Sequence, residues 1–91
     1  MIKSFAHKGL EQFFKEGTKK GIQPRHANKL TLILFALNNA TRANNMDIPG
    51  WVFHPLKGAK NIYAVRVDGN YRVTFRFEDG HAHVVDYLDY H

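Results

Sequence analysis

The second half of the chain consists of short alternating segments separated by two Asp-Gly dipeptides, and this feature most restricts the fold. Four strands are predicted, at Trp51–His54, Asn61–Val67, Tyr71–Phe77 and Ala82–Tyr90. Asp-Gly between alternating apolar and polar residues is a strong short-range signal for a β-hairpin. Asp68-Gly69 and Asp79-Gly80 therefore predict that the last three strands form an antiparallel meander.

The first half of the chain has helical periodicity instead. Residues 2–6 predict a short edge strand, and Lys8–Glu16 predicts a first helix. Pro24 suits the first turn of a second helix, in which apolar residues recur every three to four positions as far as about Arg42. Two N-terminal helices packed on a mostly antiparallel sheet define an α+β fold. The full length of 91 residues is expected to form one domain.

Strand alternation predicts which side chains face away from the core. In the segment Tyr71–Phe77 the odd positions are apolar and the even positions include Arg72 and Arg76, so both arginines are expected on the open face. A three-residue turn at 68–70 sets Arg66 opposite Arg72 on that face. These guanidinium groups could hold phosphates in a bidentate manner, or they could form a solvated face with cross-strand ion pairs.

A two-residue turn at 79–80 extends the same alternation into the last strand. It predicts that Asp89 and His91 lie on the open face with the arginines. Asp86 is expected on the core side, and Tyr90 is expected there too unless the end of the strand bends.

The chain is basic, with 13 Lys and Arg against 8 Asp and Glu and a net charge of +5. A small basic domain typically binds a polyanion or an acidic partner, although such charge also serves solubility. Because there is no cysteine, disulfide and thiol chemistry are excluded, which fits a reducing cytoplasm. The N-terminus lacks the apolar region of a signal peptide, and the run Leu32–Leu37 is too short to cross a bilayer. A cytoplasmic location is expected.

The chain ends on Asp89, Tyr90 and His91, which can all move protons. Cleavage of RNA by its own 2′-hydroxyl needs a base, an acid and positive charge on the phosphorane, but no metal. Upstream, His54 could act as an acid or base and Lys57 could contact phosphate. Without further context, residues of these types are more often ordinary surface groups.

The six histidines raise the alternative of metal binding. His81 and His83 share one strand face, and His91 could be near them. Zinc usually takes three or four well-placed ligands that include Cys or more His, so neither a metal nor another cofactor is expected. The second helix has few exposed basic residues, which disfavours recognition of DNA.

Segments along essentially the whole chain resemble the HigB toxins, within the RelE-like superfamily of bacterial toxin–antitoxin proteins. The matching segments are Met1–Phe5, His7–Leu10, His54–Gly58, Arg66, Asn70–Phe75 and Asp86–His91. None is a strong motif alone, and their order and spacing make the resemblance specific. The resemblance implies a small α+β domain like that of microbial RNases. It also implies a ribosome-dependent mRNA endoribonuclease that cuts codons in the ribosomal A site and inhibits translation.

The same resemblance implies partners and residue roles. A helix-turn-helix antitoxin (HigA-like), the ribosome and mRNA are the implied partners, with DNA reached only through the antitoxin and no membrane. The implied catalytic residues are His54, Asp89, Tyr90 and His91. The implied phosphate-binding residues are Lys57 and Arg72, to which strand alternation adds Arg66 and Arg76. Which group is acid and which is base stays open, as does the alternative of a non-catalytic RNA- or ribosome-binding module descended from a toxin.

Overall fold

The computed structural model describes residues 1–90 and has the predicted α+β class. Its helices are α1 (Lys8–Glu16) and α2 (Ala27–Asn39), with short 3-10 turns at Pro24–His26 and Ala43–Met46. Its strands are β1 (His54–Pro55), β2 (Ile62–Arg66), β3 (Tyr71–Glu78) and β4 (His81–Asp89). They form one antiparallel sheet in chain order, so β1 extends the expected three-stranded meander to four strands.

Helix α1 has the predicted bounds because both of its ends are capped. The Nδ1 atom of His7 accepts a hydrogen bond from the N–H of Leu10 at 3.0 Å. Gly17 adopts φ 78° and donates its N–H to the carbonyl of Phe13 at 2.9 Å. A residue with a side chain is strained at this φ, so glycine suits the helix end.

Helix α2 ends at Asn39, about three residues before the predicted end near Arg42. Ala40 turns to an extended conformation, with φ −70° and ψ 139°. The side-chain oxygen of Asn45 then accepts from the N–H groups of Thr41 at 2.9 Å and Arg42 at 3.1 Å. This amide supplies the backbone with a partner other than the helix, which is how Asn commonly stops a helix.

The helices cover one face of the sheet and form the core with it. The most deeply buried apolar residues are Leu10, Leu30, Ile33, Leu34, Leu37, Met46, Val65, Val73, Phe75 and Val85. Each such side chain contributes about 1.5–3 kcal/mol when it leaves water. With the core on the helix side, the polar residues of the strands remain on the opposite face, called the open face below.

The predicted strand at Trp51–His54 is shorter than expected. Only His54 and Pro55 pair with β2. Val52 adopts φ 50°, which is incompatible with a continuous strand. The side chain of Trp51 is buried, and the backbone carbonyl of Trp51 accepts a hydrogen bond from the N–H of Arg66 at 2.7 Å.

The N-terminal segment lies along the outer edge of β4, as the predicted edge strand requires. It runs parallel to β4 and makes isolated bridges, Ile2 with Ala82 and Phe5 with Val85, instead of a continuous strand. The N–H of Val85 donates to the carbonyl of Ser4 at 3.0 Å. This pairing satisfies backbone groups that an uncovered edge strand would expose.

Strand β4 contains a β-bulge at Val84, which changes the faces predicted for the rest of the strand. Before the bulge, Arg76 pairs with His83 as expected from the two-residue turn. Val84 then adopts φ 47°, and its N–H donates to the hydroxyl of Ser4 at 2.8 Å. Beyond it, Thr74 pairs with Asp86, so the extra residue shifts the alternation by one.

The predicted positions of the residues beyond the bulge are therefore wrong. Asp86 lies on the open face in register with Thr74 and not on the core side. Asp89 pairs with Tyr71 and lies on the helix side of the sheet, not with the arginines. His91 lies outside the described residues.

Candidate active site

The open face brings together side chains from all four strands. Directly paired residues project to the same face of a sheet. One row across the strands contains His54, Ala64, Thr74 and Asp86. The two flanking rows contain Arg66, Arg72 and Leu88 on one side and Ile62, Arg76 and His83 on the other. The expected pairing of Arg66 with Arg72 is thus present, and the three arginines share a face with His54.

Arg72 is the most constrained of these arginines. Its Nη1 atom donates to the carbonyls of Asp68 at 2.6 Å and Tyr71 at 3.0 Å. Its guanidinium carbon lies 5.5 Å from the centre of the Tyr90 ring. Because a guanidinium has five N–H donors, these two bonds fix its position and leave donors for an anion.

Tyr90 lies beside Arg72, whereas an unbulged strand would turn it to the core. Its backbone N–H donates to the carbonyl of Asn70 at 2.6 Å, and 46% of the residue is exposed. Asp89, the preceding residue, faces the other side of the sheet. The structure therefore separates two of the residues predicted to act together at the chain end.

His54 and Lys57 are further from the chain end. The Nδ1–H of His54 donates to the carbonyl of Val52 at 2.8 Å, which leaves Nε2 as a proton acceptor in the neutral ring. Strands β2 and β3 separate His54 from β4, a distance of about 14 Å at the usual strand spacing. Lys57 is exposed in the turn between β1 and β2.

Asp86 is a residue of the open face that sequence reasoning missed. It lies opposite Thr74 and diagonally between Arg72 and Arg76. Its Oδ1 accepts the N–H of Tyr87 at 2.9 Å. The adjacent apolar pair at 84–85 interrupts strict alternation and is the sequence signal that could have indicated the bulge.

A buried histidine, also missed, supports the turn that holds Arg72. His26 is only 3% exposed, and its Nε2 lies 2.6 Å from Oδ2 of Asp68. Its Nδ1 lies 2.5 Å from the hydroxyl of Tyr87, which also accepts the N–H of Gln23 at 3.3 Å. A neutral ring that donates from Nε2 and accepts at Nδ1 satisfies all these bonds.

The environment shifts the titration of two members of this network. Hydrogen bonds from His26, together with the N–H groups of Asn70 and Tyr71, hold the pKa of Asp68 well below its usual range. Burial raises the pKa of the Tyr87 phenol. The lowered pKa keeps Asp68 ionised, so its carboxylate accepts hydrogen bonds that hold the turn in place. The backbone carbonyl of the same residue then stays directed at Arg72.

The lowered pKa of Asp68 predicts a loss of stability in acid. A carboxyl with a depressed pKa in the folded state contributes stability above its unfolded pKa of about 3.9, and this is lost as pH falls through the folded pKa. Asp68→Asn should therefore be less stable than the wild type at pH 7, with the difference shrinking as the pH falls below about 4. Urea unfolding at several pH values measures this difference.

Glu11→Gln, which removes an exposed ion pair with Lys15, is the control and should change stability little at any pH. A constant difference for Asp68→Asn would contradict the prediction.

The chain is similar over nearly its whole length to proteins of one known family. The family model of RelE-like toxins of the type II toxin–antitoxin system HigB matches residues 3–91. The chain is also 37% identical over 92 residues to Endoribonuclease HigB of Proteus vulgaris, with both chains covered in full. The chain therefore belongs to the family of RelE-like HigB toxins. Membership implies an antitoxin partner. Among residues 1–90, no helix has the length and apolar character needed to span a membrane.

Proposed function

We propose that this toxin is an endoribonuclease that cleaves mRNA in the ribosomal A site and so inhibits translation. Family membership and the full-length match to a protein named as an endoribonuclease support RNA cleavage. The observation that carries the proposal is the placement of Arg72. Its guanidinium is anchored by two backbone carbonyls beside the phenol of Tyr90, on a face shared with Arg66 and Arg76.

This arrangement suits attack by the 2′-hydroxyl of the substrate. A base removes the 2′-hydroxyl proton, O2′ bonds to phosphorus, and the P–O5′ bond breaks as an acid protonates O5′. The products are a 2′,3′-cyclic phosphate and a 5′-hydroxyl. Arg72 would stabilise the charge on the phosphorane, and Tyr90, whose ring lies beside Arg72, would exchange a proton with the same phosphate. No metal ion is needed for any of these steps.

His54 shares the open face with this pair. His54 projects from β1 and Arg72 from β3, about 10 Å apart across β2 and offset by one row along the strands. Ala64 and Thr74, which follow His54 in its row, are small and buried, so no bulky side chain stands between His54 and Asp86 in that row. Asp89 and His91 complete the proposed catalytic set, and Lys57 is proposed to contact RNA phosphate with the arginines.

We expect cleavage to depend on the ribosome. Proteins that hold free single-stranded RNA usually stack bases on several aromatic side chains, whereas Tyr90 is the main aromatic group beside the arginines on the described open face. The ribosome would position the mRNA, and positioning of this kind can be worth several orders of magnitude in rate.

The test compares one mRNA free and in a ribosomal complex at equal concentrations. Cleavage should be on the order of 100-fold or more faster in the complex, with cuts mapped to the A-site codon. Equal cleavage of free mRNA would contradict ribosome dependence. Ribosome binding and translational arrest without any cut would instead favour a non-catalytic binding module.

The proposed partners follow from the same function. We propose a HigA-like helix-turn-helix antitoxin as the inhibitor, with DNA contacted only through it, and a cytoplasmic site of action where ribosomes are found.

A further inference from the structure

A polar cleft on the helix side of the sheet adjoins the end of β4, and among its lining residues only Asp89 belongs to the proposed catalytic set. Its volume is about 420 Å³, within the range of sites that bind small molecules. It is lined by His7, Lys20, Gly21, Ile22, Gln23, Tyr71, Tyr87 and Asp89. Asp89 is the residue that the bulge turns away from the arginines, so the cleft and the open face meet at the chain end.

The loop that forms one wall of the cleft is fixed to the start of α1. Gly21 and Gly9 approach so closely that a Cβ on Gly9 would lie 2.5 Å from the carbonyl oxygen of Gly21. A Cβ on Gly21 would lie 2.4 Å from the Cα of Gly9. Ile22 is buried beside this contact. Lys20 and Gln23 are therefore held at the cleft by packed backbone on either side.

The opposite wall is also preformed. The rings of Tyr71 and Tyr87 lie 5.1 Å apart, and the side-chain amide of Gln23 donates to the Tyr71 hydroxyl at 3.4 Å. The Tyr87 hydroxyl is bound by Gln23 and His26. Because these phenols are already bonded, a ligand would meet the half-buried ring of Tyr71, whose position is set beforehand by the buried Tyr87, and little ordering would be needed on binding.

The groups around this surface offer both donors and an acceptor. The Nδ1 of His7 accepts the N–H of Leu10, so the neutral ring carries its proton on Nε2. Lys20 adds a cation and Asp89 a carboxylate. A nucleotide matches this set, since its base has a π-face, donors and acceptors, and its phosphate is an anion. An acidic peptide matches it less well because ionised Asp and Glu side chains have no π-face and no donor for Asp89.

We propose that this cleft binds one nucleotide of the RNA substrate next to the cleaved bond, an inference that rests on the proposed function. Asp89 and Tyr90 are consecutive and face opposite sides of the sheet. An RNA strand whose phosphate is held at Arg72 passes round this end of β4, and its neighbouring nucleotide enters the cleft. The cleft then contributes to binding and to the choice of the nucleotide beside the cut.

The first experiment compares Lys20→Ala with Lys19→Ala. Both lysines are exposed and adjacent, but only Lys20 lines the cleft. Lys20→Ala should raise the toxin concentration needed for half-maximal cleavage of ribosome-bound mRNA roughly tenfold, with a changed distribution of nucleotides next to the cut. Lys19→Ala should raise it less than about twofold. Lys20→Arg should restore most of the affinity. If Lys20→Ala and Lys19→Ala behave alike, the proposal is wrong.

The second experiment tests the cleft without cleavage. A DNA trinucleotide has no 2′-hydroxyl and cannot be cut, so it is titrated into the full chain while the ring resonances of His7, Tyr71 and Tyr87 are followed by NMR. We expect these rings to shift in the wild type and Lys19→Ala, and to shift much less in Lys20→Ala. Absence of shifts at these rings, or equal shifts with a polyglutamate peptide, overturns the proposal. Shifts in a wild-type protein that fails to cut ribosome-bound mRNA would refute the proposed function and leave the nucleotide site in place.

Discussion

Replacing Arg72 with alanine is expected to slow mRNA cleavage on the ribosome by on the order of 100- to 1,000-fold. The guanidinium is fixed by the carbonyls of Asp68 and Tyr71, so its charge is in place before the phosphorane forms. Such preorganised charge stabilises a transition state more than a ground state. The expected change is therefore in the maximal rate, measured under single-turnover conditions at saturating toxin.

Two further variants make this result specific. Arg72→Lys keeps the charge but loses the planar fork, and should recover only part of the rate. Arg66→Ala removes the exposed arginine directly opposite on β2 and should weaken binding more than it lowers the maximal rate. Thermal unfolding of each purified variant controls for stability. A folded Arg72→Ala protein that cleaves at the wild-type rate would exclude this arginine from catalysis.

Replacing His26 with alanine is expected to lower the free energy of unfolding by about 2–4 kcal/mol. The change removes a buried ring and its bonds to Tyr87 and Asp68, and it leaves a cavity between α2 and the sheet. Arg25→Ala is the matched control. Arg25 is adjacent and exposed, with its Nε 3.9 Å from the same Asp68 carboxylate, so its loss should cost less than about 1 kcal/mol. Urea unfolding at pH 7 measures both.

The same histidine is expected to affect catalysis through Arg72. The side chain of Asp68 is bonded to His26, and the backbone carbonyl of Asp68 accepts a hydrogen bond from Arg72. Because both bonds involve one residue, loss of the His26 bond should displace the Arg72 guanidinium. His26→Gln retains a side-chain donor and should remain folded, with a lower maximal cleavage rate and little change in the half-saturating concentration. Equal stability and activity of the His26 and Arg25 variants would show that the buried network is unimportant.

Local sequence signals were sufficient for the features that depend on neighbouring residues. Gly17 ends α1, and the two Asp-Gly dipeptides separate the strands of the meander. Alternation in β3 gave the correct face for Arg72 and Arg76. Each of these depends on backbone preferences or on side-chain period within a few residues, which is why the sequence predicts them.

The features that were missed depend on residues far apart in the chain. The bulge at Val84 is held by the hydroxyl of Ser4, which is 80 positions away. His26 is separated from Tyr87 by 61 positions and from Asp68 by 42. No local period reports such contacts, so the buried network and the cleft were not predictable from the sequence. For the faces of Asp86 and Asp89, the apolar pair at 84–85 was the one local signal, and it does not indicate Ser4 as the partner that holds the bulge.

Because of the bulge, residue 84 is an extra residue of β4 that has no partner of its own in β3. Beyond it, the faces of Asp89 and Tyr90 are set by their alignment with β3, and the number of residues from the preceding turn does not determine them. A relative with one residue fewer at this point would pair its last residues with β3 in the same way and present the same side chains to each face. A relative of the same length whose last strand is regular, without a bulge, would present these side chains to the opposite faces of the sheet. Equivalent residues at the ends of such toxins should therefore be aligned by counting from the residue that pairs with Arg72, which is Leu88 here. A one-residue gap near position 84 in a sequence alignment then leaves the side chains on each face of the sheet unchanged.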